Sequence, residues 1–529
     1  MYMEMKRKYP VGIQTFSRLR REGYVYVDKT DLVWLLAQEN NPFLFFGRPR
    51  RFGKSLLAST LHSFFAGERE LFKGLKVDEL EWDWKQYPVL HFDLSGAKHL
   101  PPQGVRDELG LQLENMENLY GRNPNETSPG MRMAGVVRRA YEQTGLQVAI
   151  IIDEYDAPLL DVLHEEERLH EMREVLQEFY QRLKMLEPMI KFCFITGITK
   201  FSQLSIFSTI NNISVISMWP KYATLCGITE EELTTTLAPD IALLAEANDC
   251  TPEEMHQKLK TRYDGYKFSR KSPEIYNPFS LFKAFNSQEV GDYWFDSGTP
   301  SYLIRQMKKF QTDITSLDRL ESSATSFDKP TEAMTNALPL LYQSGYLTIK
   351  DYDREAEIYT LAIPNQEVQV GYTEGLLPTY LGLETDDVQM GFALKFWRAL
   401  KKDDLELALQ EMHAYLAGLP YVEGFKKKLE EMANVEGFYE YTFYLIFSML
   451  NVYARTQVKC HGGRIDMVVL MPTTTYVFEL KMHETAQKAL EQIDTKGYAL
   501  PYDTEGRRVI KCGLHFDLDS RTLDEWVIG

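Results

Sequence analysis

The chain has 529 residues, 44% of them hydrophobic and 12% aromatic, with a formal net charge of −17. That length calls for about two to four domains, and the apolar content fills buried cores, which excludes a disordered chain. The acidic balance excludes a surface built to coat nucleic acid regardless of sequence, although a catalytic cleft needs only a basic rim of its own.

The five cysteines, Cys193, Cys226, Cys250, Cys460 and Cys512, show no C-x-x-C pair or zinc spacing and suit a reducing compartment. The opening MYMEMKRKYP has no apolar run behind its charges, and the longest apolar runs are too short for a membrane span. A cytoplasmic protein without a membrane partner is expected.

In chain order, Asn41 to Phe46, Pro88 to Leu94, Gln147 to Asp156 and Lys191 to Ile198 are short and almost continuously apolar. Strands covered on both faces of a parallel sheet have this character. Lys54 to Phe65 and Glu165 to Leu186 have helical spacing, so residues 1–225 are expected to form a doubly wound α/β domain with helices on both faces. From Gly227 the pattern turns helical, opening with Thr229 as the cap of TEEEL. Ala337 to Asn365 reads as a helix followed by a β-hairpin, so 226–375 is expected to be a helical region with a winged-helix-like module. Residues 376–419 read as a helical connector, and 420–529 return to strands at RIDMVVL, TTYVFELK and RVIKCGLHF, a second α/β domain.

FLFFGRPRRFGKSLL (Phe43 to Leu57) has the strand, loop and helix start of a phosphate-binding loop. Backbone N–H groups at such a helix N-terminus cradle an anion. Lys54 would reach the β/γ-phosphates and Ser55 would hold Mg²⁺. Arg48 stands where the G-x-x-x-x-G-K-[ST] pattern has its first glycine, which costs about 1–2 kcal/mol if that position needs a positive φ. With Arg48, Arg50 and Arg51 adding positive charge, Gly53 completes the anion site. The alternative is a plain helix cap after a turn. It is weakened by VAIIIDEYD, an apolar strand ending in Asp153, placed to bind Mg²⁺ through water, and Glu154, placed to polarise an attacking water. FITGITKFS ends a further strand in Thr196, followed by Lys200, where a γ-phosphate sensor is expected.

RPRRFGKSLL, the upstream VYVDKT (Val25 to Thr30), IIDEYDAPL and ITGITKFS together resemble the bacterial AAA-ATPase-like family, as do YDGYKF, YNPFSL and YWFDSGTPSYL up to Leu303. Arginine-rich loops occur often in that family, which makes Arg48 less anomalous. The resemblance implies ATP as ligand and leaves open what the ATPase drives.

In GGRIDMVVLMPTTTYVFELKMHE (Gly462 to Glu484), two apolar runs flank a turn about Pro472 and Thr473. A hairpin centred there sets Asp466 opposite Glu479 and Arg464 opposite Lys481, with Asp466, Glu479 and Lys481 on one face. Two opposed carboxylates repel unless a cation lies between them, and hard oxygen ligands favour Mg²⁺ or Mn²⁺. Lys481 would then orient or deprotonate a water. The plain alternative is an exposed Asp466–Lys481 ion pair worth about 0.2–1 kcal/mol.

The ordered set resembles the PD-(D/E)XK nuclease superfamily, with Ile465 replacing the proline of that name. The resemblance extends to Glu436 or Glu440, at i, i+4 on a preceding helix, as a further metal ligand, Glu436 being favoured. It extends also to Gln492, Lys496 and Tyr498 as support for the site or the nucleic acid. The whole is expected to be an α/β multidomain protein: a P-loop NTPase sheet, a helical and winged-helix-like middle, and a PD-(D/E)XK-like end. Its expected function is ATP-regulated, metal-dependent cleavage of nucleic acid, DNA favoured over RNA, with self-association compatible. A nucleotide-dependent switch or scaffold that binds without cleaving is the competing expectation.

Overall fold

The computed structural model describes residues 7–160, 162–163, 165–200, 212–294, 303, 306–307, 310, 320–330, 334–372, 395–396, 399–400, 402–417, 453–460, 463–470, 474–502, 507–517 and 522–529. They fall into two compact units, 1–312 with 319–368 and 313–318 with 369–529. The helical and hairpin segments after residue 225 therefore pack into the same unit as the first sheet as far as residue 368. Among the described residues no helix is long and apolar enough to cross a membrane.

The first unit is built on five parallel strands: β1 (Phe43–Gly47), β2 (Val89–Asp93), β3 (Val148–Asp153), β4 (Ile190–Gly197) and β5 (Ser214–Val215), in the order β2-β3-β4-β1-β5. Alternate side chains feed opposite faces. Phe43, Phe45, Ile150, Ile152, Cys193 and Ile195 join one core with the Pro102–Tyr120, Pro129–Thr144 and Glu166–Tyr180 helices. On the other face the Lys54–Phe65 helix packs on β3 and β4, with Phe65 stacked on Phe192 at 4.7 Å. Burial on both sides is why β1, β3 and β4 read as nearly unbroken apolar runs, whereas the edge strand β2 alternates buried with half-buried residues. β5 is two half-buried residues, too short to leave such a signal.

A short antiparallel pair, β6 (Ile228–Thr229) and β7 (Ile275–Tyr276), follows. Thr229 caps the Glu230–Thr235 helix in a capping box with Glu232, as TEEEL leads one to expect. β8 (Leu320–Ser322), β9 (Thr348–Asp353) and β10 (Ile358–Ala362) form a three-stranded antiparallel sheet beside the Leu338–Ser344 helix. That helix ends at Gly345, whose φ is +89°. A Cβ there would lie 2.7 Å from Pro49 of the phosphate loop, so only glycine lets the two segments meet.

The second unit is a mixed sheet of β11 (Tyr453–Cys460), β12 (Gly463–Leu470), β13 (Thr474–Lys481), β14 (Arg508–Asp517) and β15 (Thr522–Ile528), in that order. Side chains are not described at 453–460, 463, 464 and 470. Only β13 and β14 run parallel, and the Ala486–Lys496 helix makes the crossover this requires. The β12–β13 ladder pairs Met467 with Phe478 and Val468 with Val477, the expected register.

Arg48 is 2% exposed and points inward. Its guanidinium donates to the carbonyls of Gly47, Ser217, Tyr222 and Ala223 and lies over the rings of Phe46 and Phe268 at 4.3 and 4.1 Å. Burial lowers its pKa to about 10, which leaves it charged at neutral pH. Arg48→Met strands those carbonyls and is expected to destabilise the first unit by about 3 kcal/mol. Arg48→Lys should not rescue it, because an ammonium lacks the planar fork. Thermal melting of both variants checks this, and a wild-type midpoint for either overturns it.

Candidate functional site

The phosphate loop joins β1 to the Lys54–Phe65 helix. Gly53 caps that helix at φ +89°, and a Cβ there would meet nothing within 4 Å, so glycine serves the backbone angle rather than space. Arg48 is absent from the positive-φ residues, whereas Arg51 has φ 65°. The strain expected at Arg48 thus sits three residues later, and the positive charge expected from it is turned into the core.

Lys54 is buried, and its Nζ donates to the Pro49 carbonyl at 3.0 Å. Burial lowers its pKa, opposed by Glu154, Asp153 and Asp156. Burial raises the pKa of the Asp153 carboxylate, opposed by the nearby Ser55 hydroxyl and Lys54. Glu154 holds the left-handed conformation at φ 48°, and burial raises its pKa too. A non-glycine residue kept there at the end of an apolar strand marks a constrained site. Arg50, Arg51, Gly53, Lys54, Ser55 and Glu154 line a cleft of about 480 Å³, within the range of small-molecule sites. Val11, Ile13, Phe279 and Phe282 supply an apolar wall, and the Arg51 guanidinium lies 3.8 Å over the Phe279 ring.

The sensor expectation fails in this geometry. Thr196 is fully buried, and its hydroxyl donates to the Phe46 carbonyl at 2.8 Å. Lys200 pairs with Asp328 at 2.6 Å, and its N–H donates to Gln343. Neither residue lines the cleft.

In the second unit, Glu479 is 2% exposed on β13 beside half-buried Asp466 on β12. The ladder stops at Met467–Phe478, and beyond it Asp466 Oδ2 accepts the Leu480 N–H at 2.8 Å. Glu479 Oε1 accepts from Gln492 Nε2 and, at 3.4 Å, from Lys481 Nζ, while Oε2 is buried without a hydrogen-bond partner among the described residues. Burial first and the Asp466 charge second raise the Glu479 pKa well above the carboxylate range. Gln492 reaches it because Gly513, in register with Glu479, has no side chain. A Cβ there would run into the backbone of Ala486 and Leu490, so the helix lies directly on β14.

Two family models match these regions: the one described as "Predicted AAA-ATPase" over residues 10–207 and the PD-(D/E)XK nuclease superfamily over 434–526. A curated relative, "Uncharacterized protein in vnfD 5'region" from Azotobacter chroococcum mcd 1, is 32% identical over 535 positions, covering 99% of each chain. The chain belongs to the AAA-ATPase-like family, with a PD-(D/E)XK nuclease superfamily domain at its C-terminal end.

Placed against that membership, the nuclease-like domain brings Asp466, Glu479, Lys481 and Gln492 together. Tyr498 instead packs in the apolar cluster with Ile465 and Val468, and Lys496 is exposed one helical turn beyond Gln492. Glu436 and Glu440 lie outside the described residues. The side chain of Arg464 does too, and its backbone pairs with Lys459. Among the described residues no group of three acidic, His or Cys side chains converges. Two carboxylates, one with an unpartnered buried oxygen, do suit a hard divalent cation, which when bound would supply charge neutralisation at a phosphate.

In the AAA-like unit, residue-by-residue reading missed Asp156. It is buried and accepts the Ile198 and Thr199 N–H groups and the Thr199 hydroxyl, fixing the end of β4. Lys98 and the Phe279–Phe282 wall were missed as well. Asn277 of YNPFSL was the available signal for the wall, since it caps the helix carrying those rings.

Because Glu479 holds its proton above the ordinary range, a divalent cation taken up by this carboxylate would have to expel it. Mn²⁺ affinity is therefore expected to rise with pH through the Glu479 titration, by at most about tenfold per unit, and to flatten above it. Calorimetry at several pH values checks this, and an affinity independent of pH from 6 to 9 contradicts it. Gly513→Ala should push the helix off β14 and destabilise the domain by about 1–3 kcal/mol, measured by thermal melting, and a wild-type midpoint contradicts it.

Proposed function

We propose that this protein is an ATP-binding regulator carrying its own divalent-metal-dependent nuclease, with DNA as the favoured substrate. The observation that carries the nuclease reading is the buried Glu479 carboxylate beside Asp466, whose Oε1 takes Lys481 and Gln492 while Oε2 has no hydrogen-bond partner among the described residues. Leaving such an atom unmatched is unfavourable unless a ligand or cation takes it. In this reading Asp466 and Glu479 hold Mg²⁺ or Mn²⁺, Lys481 orients the attacking water, and Gln492 keeps the Glu479 carboxylate aimed. Lys54, Ser55 and Asp153 hold Mg-ATP, and Glu154 is the base or water-polarising group if ATP is turned over. A cytoplasmic setting accords with the cysteine pattern.

A second reading, a nucleotide-dependent switch that binds nucleic acid without cutting it, draws support from Thr196 and Lys200. Both expected sensors are engaged elsewhere, which favours ATP binding over rapid hydrolysis.

Purified full chain, incubated with labelled single- and double-stranded DNA in Mg²⁺ or Mn²⁺ with and without ATP, separates the two. Cleavage should fall at least about a hundredfold in Asp466→Ala, Glu479→Ala and Lys481→Ala. Lys54→Ala should keep metal-dependent cutting but lose its response to ATP. Cleavage that survives the carboxylate variants sinks the nuclease assignment. ATP binding with no cleavage under any condition selects the switch.

A further inference from the structure

A site that distinguishes ATP from ADP needs a positive group at the terminal phosphate, because the two ligands differ by that phosphate and its charge. On the phosphate-loop side, Lys54 lines the cleft at the helix start, its ammonium on the Pro49 carbonyl. On the side of β4 the expected groups are spent: the Thr196 hydroxyl is given to Phe46, and Lys200 is paired with Asp328. The cleft nevertheless has a cation beyond the loop. Lys98 lines it together with Glu154, Asp156, Ala157 and Leu160, the segment that follows β3.

The backbone carrying Lys98 is fixed to that segment. β2 and β3 are in register at Asp93 and Asp153, and the next N–H, that of Leu94, donates to the Asp153 carbonyl at 3.1 Å. The chain then turns through a 3₁₀ helix, Ser95–Ala97, whose Ala97 is buried and which packs against the Ala157–Leu160 helix. Ser95 N–H donates to the Asp93 carboxylate at 2.8 Å, and Gln112 brackets Asp93 by accepting its N–H and donating to its carbonyl. Lys98 is the first residue out of this turn. Its side chain is exposed, and no described carboxylate pairs with its ammonium.

We propose that Lys98 is the residue that reads the terminal phosphate of a bound nucleoside triphosphate, from the turn that follows β2. It is a specificity-determining contact, separating triphosphate from diphosphate. This rests on the nucleotide-binding reading of the cleft. Because the Ser95–Ala97 turn hangs on Asp153 and packs on the segment after Glu154, a phosphate held by Lys98 lies next to the two acids placed to hold Mg²⁺ and polarise water.

The test is calorimetric titration of the full chain with the Mg²⁺ complexes of ADP and of the non-hydrolysable β,γ-imido analogue of ATP, which makes the readout independent of turnover. Lys98→Met is solvent-exposed and outside the cores, so the fold should hold. It is expected to weaken the triphosphate about tenfold, the size of one lost charge-assisted contact, and to leave ADP unchanged. Lys98→Arg should keep most of the triphosphate preference. Equal preference in Lys98→Met and wild type, or equal weakening of both ligands, overturns the assignment. Wild type binding neither nucleotide overturns the nucleotide reading itself, and the role of Lys98 with it.

Discussion

The first unit depends on how one buried cation is solvated. The Arg48 guanidinium lies where water cannot reach it, with carbonyl oxygens and two aromatic rings as its surroundings. Three of those oxygens belong to Ser217, Tyr222 and Ala223, after the last strand of the sheet. The arginine therefore clamps the start of the phosphate loop to a segment about 170 residues downstream. With that end fixed, Pro49 meets Gly345, its carbonyl receives Lys54, and the chain must turn through left-handed Arg51 and Gly53 to begin the helix. A neutral side chain could not impose the same geometry, because only a charged donor recovers enough energy from several carbonyls to stay desolvated.

The candidate nuclease centre rests on a different constraint, close backbone packing. Gly513 removes the Cβ that would hold the Ala486–Lys496 helix off the sheet, so Gln492 meets Glu479. The helix also keeps water away from Glu479. That desolvation raises the carboxylate pKa, and Asp466 raises it further. Geometry and proton affinity thus share one cause. The acid is buried by the same helix that aims it, and one of its oxygens has no hydrogen-bond partner among the described residues.

Both centres keep ionisable groups in surroundings that disfavour their charge. Lys54, Asp153 and Glu154 have pKa values displaced by burial in the first unit, as Glu479 has in the second. Such groups cost stability in the absence of ligand and gain from binding a phosphate or a cation, a pattern that favours function over packing.

Much of this architecture is legible in the amino-acid sequence. The strands β1, β3 and β4 declare themselves because burial on both faces demands nearly unbroken apolar side chains. Thr229 announces its helix because a cap acts on the next three residues. The β12–β13 register follows from the turn position and the period of two, which sets Asp466 toward Glu479 without any knowledge of the rest. These are local rules, enforced by neighbours in the chain. What tertiary structure alone decided are the partners: Arg48 turned inward, Thr196 given to a carbonyl 150 residues away, Lys200 to an acid 128 residues away, and Tyr498 to the core. Gly513 beneath the Ala486–Lys496 helix and Lys98 in one cleft with Glu154 belong to the same class. β5, β11 and β15 were missed because a strand completed by an edge pairing needs no strong pattern of its own. The reason is common to all of them: a polar side chain can satisfy its hydrogen bonds in many places, and only the folded chain determines which oxygen or proton is within reach.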